Sequence, residues 1–162
     1  MSDVGGAVIL ALGNAFRGDD AVGPEVANRL RRRRLAGVTI EQPGDAMAII
    51  EACRDAKLAI VVDAAVSGSP PGTIHRRELG DQTVPKDLAR CSIHGFGLAE
   101  AVRLAETLGR LPARFLLYAI EGARFDHGSP LSPEVDAAVD DVVQQVLAEI
   151  EHPEQREVLP KK

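Results

Sequence analysis

The sequence predicts an α/β fold, a three-layer α/β/α sandwich around a mostly parallel twisted sheet of about five strands with one antiparallel member. Three observations predict it. Residues 8–12 and 58–62 are continuous short apolar runs, the signature of strands buried on both faces. Segments of helical period separate the runs. One link between strands, residues 67–72, is rich in Gly, Pro and Ser and holds no helix. A link that short favours antiparallel pairing, because a parallel partner needs a long crossover.

Val8, Ile9, Leu10, Ala11 and Leu12 form the first strand, closed by Gly13 and Asn14. A polar loop, residues 15–23, carries Asp19 and Asp20. Pro24 then opens a helix to about residue 35, with Val26 and Leu30 at helical spacing and proline at a favoured first position. Residues 38–41 alternate as a second strand. Asp45 is placed to cap a helix running through Cys53. The third strand, residues 58–62, ends at Asp63. Residues 73–79 form the antiparallel strand, and residues 80–92 are irregular and polar. A helix is expected from about 94 to 108, with Leu98, Ala101, Val102 and Ala105 on one face, and the last strand covers residues 114–120. Ser132 and Pro133 open the final helix, whose stripe of Val135, Val139, Val142, Val143, Val146 and Ile150 follows the helical period. The expected organisation is one domain over residues 1–152, with a charged, proline-containing tail at 153–162 that frays.

At 162 residues with 45% apolar content, the chain can bury a core without disulfides or structural metal. Aromatics are only 3%, which argues against stacking on bases, and the net charge of −5 argues against a surface that tracks phosphates. The run Arg31 to Arg34 falls at a helix end, where cations suit the macrodipole, so it reads as a solvated helix end. Two cysteines cannot build a disulfide framework or a four-thiolate zinc site. Residues 1–6 lack a basic leader and the following apolar run is too short to cross a bilayer, so no membrane partner and a cytoplasmic location are expected. The acidic balance and the lack of an obvious apolar patch point to a monomer.

Ligands of open α/β sheets bind beyond the carboxyl ends of the parallel strands. Asp20 lies in the loop after the first strand, Asp63 ends the third, and His94 sits in a turn at a helix start. Two carboxylates and an imidazole suit a divalent ion such as nickel, zinc or manganese, with open positions left for water or substrate. The same residues are also common as loop caps and backbone partners. Other candidates read more plainly. Gly13-Asn14 lacks the further glycines of a dinucleotide fingerprint and reads as a tight turn held by the asparagine side chain. Ser67, Ser69 and Ser92 are turn residues outside any nucleophile-elbow pattern. Cys91 is a bystander thiol, Cys53 is core, and His75 and His152 are placed at the surface. His127 is a candidate accessory on the same rim.

Taken in order, three stretches resemble the motifs of the hydrogenase maturation peptidases: Leu12-Gly13-Asn14 with Gly18-Asp19-Asp20-Ala21-Val22-Gly23; Val62-Asp63-Ala64-Ala65-Val66 with Pro71-Gly72-Thr73; and Ser92-Ile93-His94-Gly95-Phe96-Gly97-Leu98. Leu131 to Val135 resembles that family's opening of its last helix. The resemblance implies an α/β/α fold and an endopeptidase that removes a short C-terminal extension from the precursor large subunit of a [NiFe]-hydrogenase once nickel is inserted. It implies that Asp20, Asp63 and His94 are both the metal-contacting and the catalytic residues. The nickel is then carried by the substrate and not retained by the free enzyme. Two stretches depart from the family pattern: Gly44-Asp45 stands where many members have a Gly-Thr pair before the second helix, and where many carry a Pro-Glu pair after the last strand the stretch here is Ile120-Glu121-Gly122-Ala123-Arg124. Two other readings of the same residues are a metal-free aspartic-type peptidase using Asp20 and Asp63, and a non-catalytic nickel-binding or docking module for hydrogenase assembly.

Overall fold

A computed structural model describes residues 6–79 and 93–152. Its strands are β1 (Ala7–Ala11), β2 (Val38–Glu41), β3 (Leu58–Ala65), β4 (Ile74–Glu78) and β5 (Arg114–Glu121), in the spatial order β2-β1-β3-β5-β4. All neighbours run parallel except β4, which is antiparallel to β5. The helices are α1 (Val22–Arg31), α2 (Ala46–Ala52), α3 (Gly95–Thr107) and α4 (Pro133–Glu151).

β1, β3 and β5 are buried at every position, which continuous apolar runs permit because helices cover both faces of the sheet. Along β3 the even residues Ile60, Val62 and Ala64 face α1 and α4, whereas Ala59, Val61 and Ala65 face α2 and α3. These are the three expected layers. Asp63 is an odd residue and shares the α2/α3 side. The stripe Val135, Val139, Val142, Val143, Val146 and Ile150 lies buried along α4. Each fully buried valine of this kind stabilises the fold by about 1.5–3 kcal/mol relative to an exposed one. Cys53 is buried as expected. Asp45 caps α2, its Oδ1 accepting from the Ala48 N–H at 2.8 Å.

Several boundaries differ from expectation for physical reasons. Helix α1 starts at Val22, so Pro24 sits in the first turn, where its missing N–H has no intrahelical partner to lose. The helix ends at Arg31, leaving the rest of the arginine run beyond it. Strand β3 does not stop at Asp63 but runs on to Ala65, paired residue by residue with β5 as far as Ala65↔Glu121. Asp and Ala are poor strand formers, but the full-length pairing overrides their preference. β4 is antiparallel as expected, and its partner is β5 rather than the strand before it. The segment 80–92, with Cys91 and Ser92, and the tail 153–162 lie outside the described residues. Among the described residues, no helix is long and apolar enough to cross a membrane.

Candidate functional site

The order β2-β1-β3 sends the chain in opposite directions from β1 and β3, which makes the rim between them a switch point of the kind that holds ligands. Asp20 arrives there on a single 3-10 turn, Gly18–Ala21, that joins β1 to α1. Two glycines let the turn close. Gly13 has φ +119°, and a Cβ on it would strike the Asp20 carbonyl and come within 3.2 Å of Asp20 Oδ1. A Cβ on Gly23 would lie 2.7 Å from the Val62 carbonyl, so only glycine lets α1 start this close to β3. Asn14 acts as expected, its side-chain oxygen accepting from the Phe16 N–H at 2.8 Å.

The extension of β3 positions the second and third residues. Because the strand continues past Asp63, the Ala64 carbonyl accepts from the Ile93 N–H at 2.9 Å and draws residue 94 against Asp63. The His94 N–H donates to Asp63 Oδ2 at 3.0 Å, and His94 Nδ1 lies 2.9 Å from Asp63 Oδ1. A carboxylate only accepts, so the proton of this bond sits on Nδ1, which leaves Nε2 for another partner. Oδ1 of Asp63 also accepts from the Ala64 N–H at 2.9 Å.

Asp20, Asp63 and His94 converge: one candidate ligand atom from each lies within 4.8 Å of the others. Both carboxylates are buried, while the His94 side chain is 43% exposed and forms the open side. Three hydrogen bonds use most of Asp63's roughly four lone-pair sites. Asp20 Oδ2 accepts from the Asn14 N–H at 2.8 Å, but Asp20 Oδ1 is buried with no hydrogen-bond partner among the described residues. An orphaned carboxylate oxygen is costly to bury, and a cation beside it would remove that cost. Hydrogen bonding to Asp63 raises the His94 pKa above its ordinary value; burial opposes this, and the charges of Asp63 and Asp20 reinforce it.

The other sequence candidates lie elsewhere. His127 is exposed on the loop after β5 and is not part of the cluster, and His152 is exposed. His75, expected at the surface, is half-buried: its Nε2 lies 3.2 Å from Oε1 of Glu121, which also accepts from the Ser67 hydroxyl. The Ser67 N–H donates to Glu121 Oε2 at 2.8 Å, so this buried carboxylate ties the link after β3 to the end of β5. Asp19 was the main omission. It is fully buried and accepts from the backbone of Ala123, Arg124 and Ser132 and from the Ser132 hydroxyl. Nothing in the Asp-Asp doublet itself distinguishes the structural carboxylate from its neighbour.

Comparisons with known proteins agree with this architecture. A family model described as hydrogenase maturation protease (HycI) matches residues 24–149, a span that holds Asp63 and His94 and begins just after Asp20. The hydrogenase expression/formation protein HupD of Thiocapsa roseopersicina is 28% identical over 146 residues, covering 86% of this chain. The chain spans only 65% of the length of that relative. The hydrogenase 2 maturation protease of Escherichia coli K12 is 28% identical over 146 residues, covering 87% of this chain and 88% of the relative. The solved structure of the hydrogenase maturating endopeptidase HybD from E. coli shares the fold, with a TM-score of 0.79 at 24% identity over 92% of this chain and 94% of that one. A family match across β2 to β5 and all or most of each of the four helices places this chain in the hydrogenase maturation protease family.

Proposed function

We propose that this protein is an endopeptidase that trims the C-terminal extension from the precursor large subunit of a [NiFe]-hydrogenase, and that it recognises the nickel already seated in that substrate through Asp20, Asp63 and His94. The observation that carries the reading is the convergence of these side chains around an unpartnered, buried Asp20 Oδ1. Oxygen, oxygen and imidazole donors fit a divalent nickel ion that keeps other ligands of its own. His94 Nδ1 and Asp63 Oδ1 lie 2.9 Å apart, so an ion shared by both side chains would take the place of the proton between them.

The substrate's nickel polarises the scissile carbonyl, and water is the nucleophile. The sequence favours Asp63 slightly as the general base, and Asp20 Oδ1, which has no hydrogen-bond partner among the described residues, is the oxygen left to meet the ion. Anchoring the bond beside the metal also supplies specificity, because a nickel-free subunit lacks the anchor. A protein substrate suits the rim, where Phe16, Val66 and Ile93 are exposed apolar side chains close in the chain to the three residues. The metal-free aspartic reading fits less well: such a dyad shares a proton between its carboxylates, whereas Asp20 Oδ1 here bonds to nothing.

The test is His94→Ala with purified nickel-loaded precursor. Cleavage is expected to be lost while the circular dichroism spectrum stays close to wild type and the Tm falls by no more than the loss of the His94–Asp63 side-chain bond, since the backbone N–H at position 94 still donates to Asp63. Unchanged trimming by this variant would remove His94 from the mechanism. A stable complex of wild-type protein and precursor without trimming would make it a docking module.

A further inference from the structure

A cleft of about 450 Å³ opens beside His94 on the α2/α3 side of the sheet. Clefts of ~300–1,000 Å³ are the usual size for ligand sites. Leu12, Ile49 and Leu98 form its buried floor, residues 43–46 one wall, and Gly97 of α3 lies on the other. His94 belongs to both the cleft and the cluster with Asp20 and Asp63.

Two wall glycines have no structural reason to be glycine. Neither Gly44 nor Gly97 adopts a left-handed φ, and a Cβ built on either would meet no atom of the described residues within 4 Å beyond its chain neighbours and its own helix backbone. Gly97 also lies inside a helix, where glycine is a poor helix former. A side chain at either position would meet open space at a residue that lines the cleft. The lining is mostly apolar, with Pro43, Ala46 and Ile93 joining the three floor residues. Asp45, the other charged group besides His94, already accepts from the Ala48 N–H as the cap of α2. An ionic side chain seated on this floor would find no buried partner and would lose its hydration.

We propose that the cleft receives an uncharged apolar side chain of the substrate polypeptide, next to the bond held at His94, and that Gly97 is a specificity-determining residue that keeps it open. The proposal deepens the peptidase reading and rests on it for the identity of the polypeptide. A chain anchored at His94 has its neighbouring residue directly over the cleft, and burial of one apolar side chain there adds binding without touching the reacting atoms.

The experiment uses the full chain and two readouts. In the first, amide shifts are followed by NMR during titration with N-acetyl-leucine amide or with N-acetyl-aspartate amide. The leucine compound is expected to shift Ile49, Gly97 and Leu98, and the aspartate compound to leave them in place. Gly97→Leu and, from the opposite wall, Gly44→Leu are expected to abolish the leucine shifts while folding with a Tm no lower than wild type by more than a few degrees. In the second, processing of nickel-loaded precursor is expected to fall about 10- to 100-fold in Gly97→Leu and less in Gly97→Ala, in line with loss of one apolar contact. Leucine shifts that map away from the cleft, equal response to both amides, or wild-type processing by folded Gly97→Leu would each overturn the proposal. If wild-type protein cuts no precursor yet the leucine titration maps to the cleft, the peptidase reading falls while the cleft stands as an apolar peptide site.

Discussion

Asparagine at position 19 tests whether one buried carboxylate holds the rim together. Four donors converge on Asp19: the N–H groups of Ala123 at 2.7 Å and Arg124 at 2.9 Å on Oδ2, the Ser132 N–H at 2.7 Å on Oδ1, and the Ser132 hydroxyl across both oxygens at 3.0 and 2.9 Å. Asparagine keeps the shape but offers one acceptor and one NH2. In its better orientation the oxygen keeps Ala123 and Arg124, and the NH2 confronts the Ser132 N–H. Hydrogen bonds to a charged group contribute about 1.5–3 kcal/mol and neutral ones about 0.5–1.5, so the two retained bonds lose about 1 kcal/mol each. The orphaned Ser132 N–H costs a further ~1–3 kcal/mol. The sum is about 3–5 kcal/mol, a large share of the ~5–15 kcal/mol that stabilises an ordinary domain. For a chain of this length that corresponds to a Tm lower by roughly 10 °C.

Urea unfolding at neutral pH measures the loss directly, and its pH dependence checks the cause. Burial pushes the Asp19 pKa up, but hydrogen bonds from Ala123, Ser132 and Arg124 together outweigh it and hold the group below its ordinary 3.8. A depressed folded-state value means that the stabilisation is complete well above 3.8 and disappears as pH falls through the lower folded-state value. The gap between wild type and Asp19→Asn should therefore be constant near neutrality and close in acid. A loss under about 1 kcal/mol, or a gap that does not change with acid, would refute the reasoning.

Three further outcomes are expected. His94 is held protonated above its ordinary 6.5 chiefly by its bond to Asp63. Processing should accordingly rise with pH through a midpoint above 6.5 as metal displaces that proton, while the pair's contribution to folding is complete below 6.5 and fades as pH climbs through the raised value; a kinetic midpoint at or under 6.5 would contradict this. Gly13→Ala forces a Cβ onto the Asp20 carbonyl at φ +119° and should destabilise by at least ~2 kcal/mol, read by thermal melting; a neutral effect would mean that the turn relaxes freely. In Glu121→Gln the Ser67 N–H, Ser67 hydroxyl and His75 lose a charged acceptor, so a loss of about 1–3 kcal/mol is expected, with faster hydrogen exchange at the Ser67 amide; an unaltered exchange rate would show that the link after β3 is held by other contacts.

Elements whose signal is local were legible in the chain. The doubly buried strands announce themselves through runs such as Leu58 to Val62, and α4 through its valine stripe, because burial there depends on periodicity alone. The grouping of Asp20, Asp63 and His94 was also legible, because α/β sheets bring the segments after their parallel strands to one rim. What stayed hidden depends on partners distant along the chain. His75 sits among charged neighbours on β4 and reads as surface, yet it is drawn inward by Glu121, 46 positions away. Asp63 reads as a strand end because only β5 can carry the ladder past it.

Asp19 and Asp20 make the distinction sharpest. They are adjacent, chemically identical and both buried, so neither propensity nor pattern assigns them different roles. The 3-10 turn separates them by aiming one at the β5–α4 loop, whose donors lie 104 to 113 residues away, and the other at the switch point. One carboxylate is saturated with hydrogen bonds, and the other keeps an oxygen that nothing satisfies. A buried carboxylate whose acceptors are filled stabilises the fold, whereas one left open carries a desolvation cost that a water or a cation would remove. The Asp19 clamp supports that incomplete neighbour: by fixing the turn to the β5–α4 loop, it holds Asp20 against Asp63 and His94 although Asp20 gains little from the protein itself.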